Sequence, residues 1–160
     1  MENQDKTREE VVSELTSARQ RILELEAREK ALKASEAKYR QMVENANSII
    51  LIMDTKGNIT FFNQFAQRFF GFHEKEIVGK NVIGTIVSEK DLSGEDLVAM
   101  IKDIVENPER HSVNENENIN SRGERVCVLW TNKAIIGDDG SINQILCIGN
   151  RADRISAANP

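Results

Sequence analysis

The sequence predicts an α+β protein: a five-stranded antiparallel sheet preceded by a long N-terminal helix. Three observations carry this. Residues 5 to 38 contain no Gly, Pro or Trp and are rich in Glu, Arg, Lys, Ala and Leu, the strong helix formers. From Ser48 onward the chain turns into apolar runs of strand length divided by turn signals such as DTKGN, SRGE and GDDG. The strand candidates fall into hairpins with helical patterning between the second and third, which gives the order β-β-α-α-β-β-β and an antiparallel sheet.

The N-terminal helix carries a heptad pattern. With Leu15 and Ile22 at position a, Val11, Ala18, Leu25 and Leu32 fall at d, a spacing of 3.5 that marks a coiled-coil seam. Glu29 and Glu36 then occupy a and weaken the seam toward its C-terminal end, although the register continues through Tyr39, Val43 and Ala46. In a parallel pair Glu14 faces Arg19 and Arg21 faces Glu26, both complementary, whereas Arg28 faces Lys33. The expectation is a parallel homodimer joined through residues 1–38.

SIILIMD, a continuous apolar run, reads as a strand buried on both faces. DTKGN turns the chain and ITFFN returns it. Asn63 then caps a short helix over QFAQRFFGF, which Gly71 stops. In HEKEIVGKNVIGTIVSEKD, Gly79 and Gly84 break up anything longer than short helical turns. GEDLVAMIKDIVEN places Leu97, Ile101, Ile104 and Val105 on one helix face, with Pro108 as its end. SVNENENIN, RVCVLWTNKAII and SINQILCIGN are the last three strands. The alternation in NENEN reads as an exposed, solvated strand face.

The 160 residues accommodate one domain with a core plus an appendage. A hydrophobic content of 39%, a formal charge of -5 and the absence of any apolar run of spanning length describe an acidic chain with no transmembrane segment. The polar start MENQDKTREE lacks the basic and apolar blocks of a signal peptide, so a cytoplasmic location is expected. Cys127 and Cys147, each in an apolar run, read as buried free thiols of the core.

Over residues 35 to 155 the chain resembles a PAS domain, the sensor module of bacterial histidine kinases and related signalling proteins. SEAKYRQMVENANSIILIMDTKGNITFFNQFAQRFFGFHEKEIVGK is similar to the family's opening half and ENINSRGERVCVLWTNKAIIGDDGSINQILCIGN to its closing three strands. The resemblance implies strand order 2-1-5-4-3 and short helices enclosing a pocket against one face. It also implies an N-terminal helix that covers the other face or pairs between subunits. The organisation expected is a dimerisation helix at 1–38, a PAS sensor domain at 39–155 and a truncated linker at 156–160, with an output domain in a longer chain, as in two-component signalling. The family commonly ends in GNDIT, whereas here GN is followed by RADRIS. Either Arg151 to Asp153 replace that triplet, or the motif is shifted so that Asp153 supplies its aspartate.

No P-loop, G-x-S-x-G or H-E-x-x-H motif is present, so no catalytic residues are assigned and a non-enzymatic sensor is expected. His73, His111, Cys127 and Cys147 are too dispersed for a metal site. The helix region at 2 to 38 balances eight Lys/Arg against nine Asp/Glu, which excludes a basic stripe for nucleic acid. Haem-binding relatives hang the iron from a histidine on the helix before the third strand, and His111 falls after Pro108, outside that helix. Light-sensing flavin relatives carry a reactive cysteine where this chain has GKNVIGTIV. No cofactor is expected, with haem or a non-covalent flavin against Trp130 and Asn132 as alternatives, and a ligand-free dimerisation scaffold as the rival from another class. By the resemblance one face of the first two strands points at the helices. Alternation makes Leu51 and Met53 one set and Ile50 and Ile52 the other; the first set, with Phe62, Phe69, Trp130 and Asn132, is expected to line the pocket. Since none of these is charged, the ligand expected is small, neutral and largely apolar or aromatic.

Overall fold

The computed structural model describes residues 7–88, 99, 102–104, 106, 107, 109, 110 and 112–152. The chain separates into two compact units, Met1–Met42 and Val43–Pro160. Helix α1 (Arg8–Glu44) runs for 37 residues, about 55 Å at the rise of an α-helix. Thr7 and Glu10 close its N-terminus reciprocally: the Thr7 N–H donates to Glu10 Oε2 at 2.8 Å, and the Glu10 N–H donates to Thr7 Oγ1 at 3.4 Å. None of its residues is buried, and Val11, Leu15, Ile22 and Leu25 each keep about half of their surface in solvent. The two glutamates that interrupt the a positions pair along their own helix, Glu29 with Lys33 and Glu36 with Arg40.

The second unit is a five-stranded antiparallel sheet of β1 (Ile49–Asp54), β2 (Ile59–Phe62), β3 (Val113–Ile119), β4 (Arg125–Ile136) and β5 (Ile142–Arg151), in the order β2-β1-β5-β4-β3. Two short helices, α2 (Gln64–Phe70) and α3 (Glu74–Ile77), follow β2. Of the helix expected over GEDLVAMIKDIVEN, Ala99, Lys102–Ile104 and Glu106 are described and helical. Leu97, Ile101, Val105 and Pro108 lie outside the described residues, as do His111 and Asp153. Among the described residues no helix is long and apolar enough to cross a membrane.

The β1–β2 turn is held by its first residue. Asp54 Oδ1 accepts from the N–H groups of Lys56 and Asn58, its Oδ2 accepts from the Asn58 amide, and Gly57 supplies the positive φ of 86°. β1 corrects the expectation of a strand buried on both faces. Ile49, Leu51 and Met53 are buried, while Ile50 and Ile52 on the opposite face are only half-buried. An uninterrupted apolar run conceals this alternation, because both faces offer the same chemistry.

α2 is fixed at both ends. The Asn63 side chain accepts from the Ala66 N–H at 3.0 Å, and Gly71 ends the helix in the left-handed region at φ 74°. A Cβ at Gly71 would collide with Ser121 Oγ, so the glycine also admits the β3–β4 turn, whose Ser121 N–H donates to Phe70 O at 2.8 Å. The core contains Ile49, Leu51, Met53, Phe62, Phe70, Ile77 and Ile145, all from the second unit.

Candidate functional site

Antiparallel register assembles one inner face of the sheet from residues distant in sequence. Leu51 on β1 stands opposite Cys147 on β5, which stands opposite Asn132 on β4. The adjacent row is Ile49, Gly149, Trp130 and Asn114. In that row Gly149 is a steric requirement, since a Cβ there would come within 2.8 Å of the Trp130 ring and of Val128 Cγ1. The indole occupies the space over the glycine.

A cavity of about 50 Å³ opens on this face. Leu51, Met53, Val82, Ile86, Val87, Ile104 and Cys147 line its apolar side; Asn114, Asn116, Asn118 and Asn132, with Trp130, line the other. No Lys, Arg, His, Asp or Glu is among these lining residues. The volume holds roughly three or four waters and is well below the roughly 300–1,000 Å³ of pockets that enclose organic ligands. A larger guest therefore requires the walls to part.

The amides form a hydrogen-bonded layer. Trp130 Nε1 donates to Asn118 Oδ1 at 3.0 Å, and Asn118 Nδ2 donates to Ile86 O at 3.1 Å, so Asn118, 1% exposed, is satisfied as both acceptor and donor. Asn132 Nδ2 donates to Asn114 Oδ1 at 2.6 Å. Burial pushes the Cys147 thiol up to about 12, which keeps it protonated and unreactive at neutral pH.

Of the residues singled out in the sequence, Leu51, Met53, Trp130 and Asn132 are brought together around the cavity. Phe62 and Phe69 are not among its lining residues. Phe62 is fully buried, with its ring 6.0 Å from that of Phe70, and Phe69 stacks on Phe65 at 6.3 Å. The reading of NENEN as a solvated face is corrected: Glu115 is exposed, but Asn114, Asn116 and Asn118 turn to the cavity. Their period of two was visible, but polarity on both faces gave no sign of which side was inward. Cys127 is also corrected. It lies on the opposite face of the sheet from Cys147, is half-buried and donates to Glu115 Oε1, so the two sulfurs cannot meet.

Among the described residues no group of three His, Cys, Asp or Glu side chains is arranged to hold a metal. The described lining residues include no histidine.

A family model described as the PAS fold matches residues 37–152. Among solved structures, the PAS domain of an HTR-like protein from Haloarcula marismortui is similar with a TM-score of 0.63 at 18% identity, covering 79% of this chain and 99% of that one. The PAS domain of the quorum-sensing receptor RpfR from Cronobacter turicensis, in complex with C12:0, is similar with a TM-score of 0.53 at 26% identity, covering 69% of this chain and 99% of that one. The same domain in complex with BDSF gives a TM-score of 0.52 at 25% identity, with the same coverage. Among curated proteins, the cyclic di-GMP phosphodiesterase PdeR of Escherichia coli K12 is 33% identical over 51 residues, 32% of this chain. The match covers 8% of that relative's length.

Proposed function

The chain belongs to the PAS fold family, and on that premise we propose that it is the cytoplasmic sensory module of a signalling protein. It binds a small, neutral, largely apolar molecule in the cavity over the inner sheet face, pairs with a second copy through α1, and relays cavity occupancy to an output domain in a longer chain, as in two-component signalling. The observation that carries the reading is the cavity itself. An apolar wall from β1 and the Val82–Val87 segment faces a hydrogen-bonded amide wall from β3 and β4, with no charged residue among the described lining residues. Support from outside the chain for an apolar guest is the RpfR PAS domain, 26% identical and solved in complex with C12:0. The exposed heptad residues Val11, Leu15, Ile22, Leu25 and Leu32 support pairing, because a second helix in register would cover them. Neither nucleic acid nor membrane is a partner in this reading.

Small molecules released from the denatured protein, identified by mass spectrometry, test it. A compound recovered from the native chain and lost in Leu51→Trp or Met53→Trp, which fill the cavity, is the expected result. If nothing is recovered and the variants keep the parent's stability and pairing, the second reading holds: a PAS core serving as a ligand-free dimerisation scaffold. The 50 Å³ volume favours that alternative.

A further inference from the structure

The amide wall is not uniformly occupied. Asn118 is satisfied by Trp130 and Ile86, and Asn132 donates to Asn114. Asn116, two residues from each of its neighbours on the same face of β3, lines the cavity with no hydrogen bond from its side chain among the described residues. It is half-buried and stands opposite Val128, and its amide nitrogen and oxygen are not sealed from solvent. Its acceptor and two donors are therefore open to a guest that reaches this wall.

We propose that Asn116 is the head-group anchor of the cavity and selects guests whose polar end is uncharged and carries both a donor and an acceptor, such as a primary carboxamide, over the isosteric carboxylate. This rests on the sensory reading above and adds the chemical class of the guest. An asparagine amide offers one acceptor and two donors, which a carboxamide matches reciprocally. A carboxylate matches only the donors, and it brings a negative charge into a lining whose described residues include no Lys, Arg or His. The apolar tail lies against Leu51, Met53 and Ile86. Trp130 and Asn118 do not compete for the head group, since their bond to each other is already made.

Octanamide and octanoate, titrated calorimetrically into the full 160-residue chain at pH 8, separate the possibilities. The expected result is that octanamide binds at least about tenfold more tightly, the size of one net hydrogen bond plus the charge cost avoided. Asn116→Leu should remove that advantage and bring the two probes to within about twofold of each other, an effect that mere loss of fold would not produce because it would abolish both. Equal binding of the two probes by the parent chain, or preference for octanoate, overturns the head-group assignment and leaves the sensory reading standing. Absence of binding by both probes to the parent chain overturns the assignment and counts against the sensory reading as well.

Discussion

Trp130 Nε1 donates to Asn118 Oδ1 at 3.0 Å beneath the surface of the cavity, and Asn118 passes the connection on to Ile86 O. The two bonds tie β4 to β3 and β3 to the segment that follows α3. They join the two walls of the cavity. Asn118→Leu removes both and leaves a buried N–H and a weakened carbonyl, which should cost about 2–4 kcal/mol in urea unfolding. Trp130 is the only tryptophan of the chain, so its emission should shift to the red in the same variant. An unchanged midpoint would show that the network is dispensable.

Gly149 gives a second handle on the same indole. Gly149→Ala places a methyl within 2.8 Å of the ring and of Val128 Cγ1, so the ring must move. Overpacking of this kind costs about 1–3 kcal/mol. The displaced ring should also occupy the cavity and weaken binding of a neutral alkyl probe, measured by calorimetry, more than Val128→Ala does.

Asn63 is more than a helix cap. Its Oδ1 accepts from the N–H groups of Ile50 and Ala66, both at 3.0 Å, and its Nδ2 donates to Val43 O at 3.0 Å and Ser48 O at 3.1 Å. The side chain is fully buried and joins β1, the start of α2 and the chain before β1. Loss of a cap alone costs about 1 kcal/mol, but Asn63→Ala removes a hydrogen-bond partner from four backbone groups and should cost about 2–4 kcal/mol. Chemical denaturation checks this, and a value at or below a single cap would reduce Asn63 to a local role.

Acid should expose the β1–β2 turn. Partial burial pushes the Asp54 carboxyl upward, but hydrogen bonds from the Asn58 side chain, from the N–H groups of Asn58 and Lys56, and the Lys56 charge outweigh it and hold the group below the usual carboxylate range. A carboxyl whose folded value is depressed contributes stability above its unfolded value, about 3.9, and loses it as pH falls through the folded value. The stability difference between the parent and Asp54→Asn should therefore be constant from about pH 7 to 5 and shrink below about pH 4. Asp139 is also lowered, through the Ser141 hydroxyl and N–H, so the difference between the two proteins is the informative quantity. A difference independent of pH would show that the turn does not depend on the charge.

Pairing through α1 can be separated from the sheet. Leu15→Lys or Ile22→Lys puts a charge in the middle of the seam and should convert a dimer to a monomer in sedimentation at micromolar concentration, while the β signal in circular dichroism stays unchanged. A parent chain that sediments as a monomer would remove the basis for the pairing.

Local rules, which act over one to four residues, made much of the chain legible. The Gly- and Pro-free segment with helix formers became α1, RVCVLWTNKAII became β4 with the same bounds, and the turn DTKGN, the cap at Asn63 and the stop at Gly71 follow from side chains and φ requirements within their own neighbourhoods. Tertiary structure decided what parity alone leaves open. NENEN has polar residues on both faces, and only the pairing of Asn114 with Trp130 and Asn116 with Val128 turned the asparagines inward. Phe62 and Phe69 have the bulk and polarity of lining residues, yet Phe70 and Phe65 claimed their rings. Gly149 reads as an ordinary strand glycine until the register of β4 and β5 sets an indole over it. The physical reason is range: an element's identity is set by neighbours along the chain, whereas the inward face, the partners of a buried amide and the volume of a cavity arise where strands separated by tens of residues come into register.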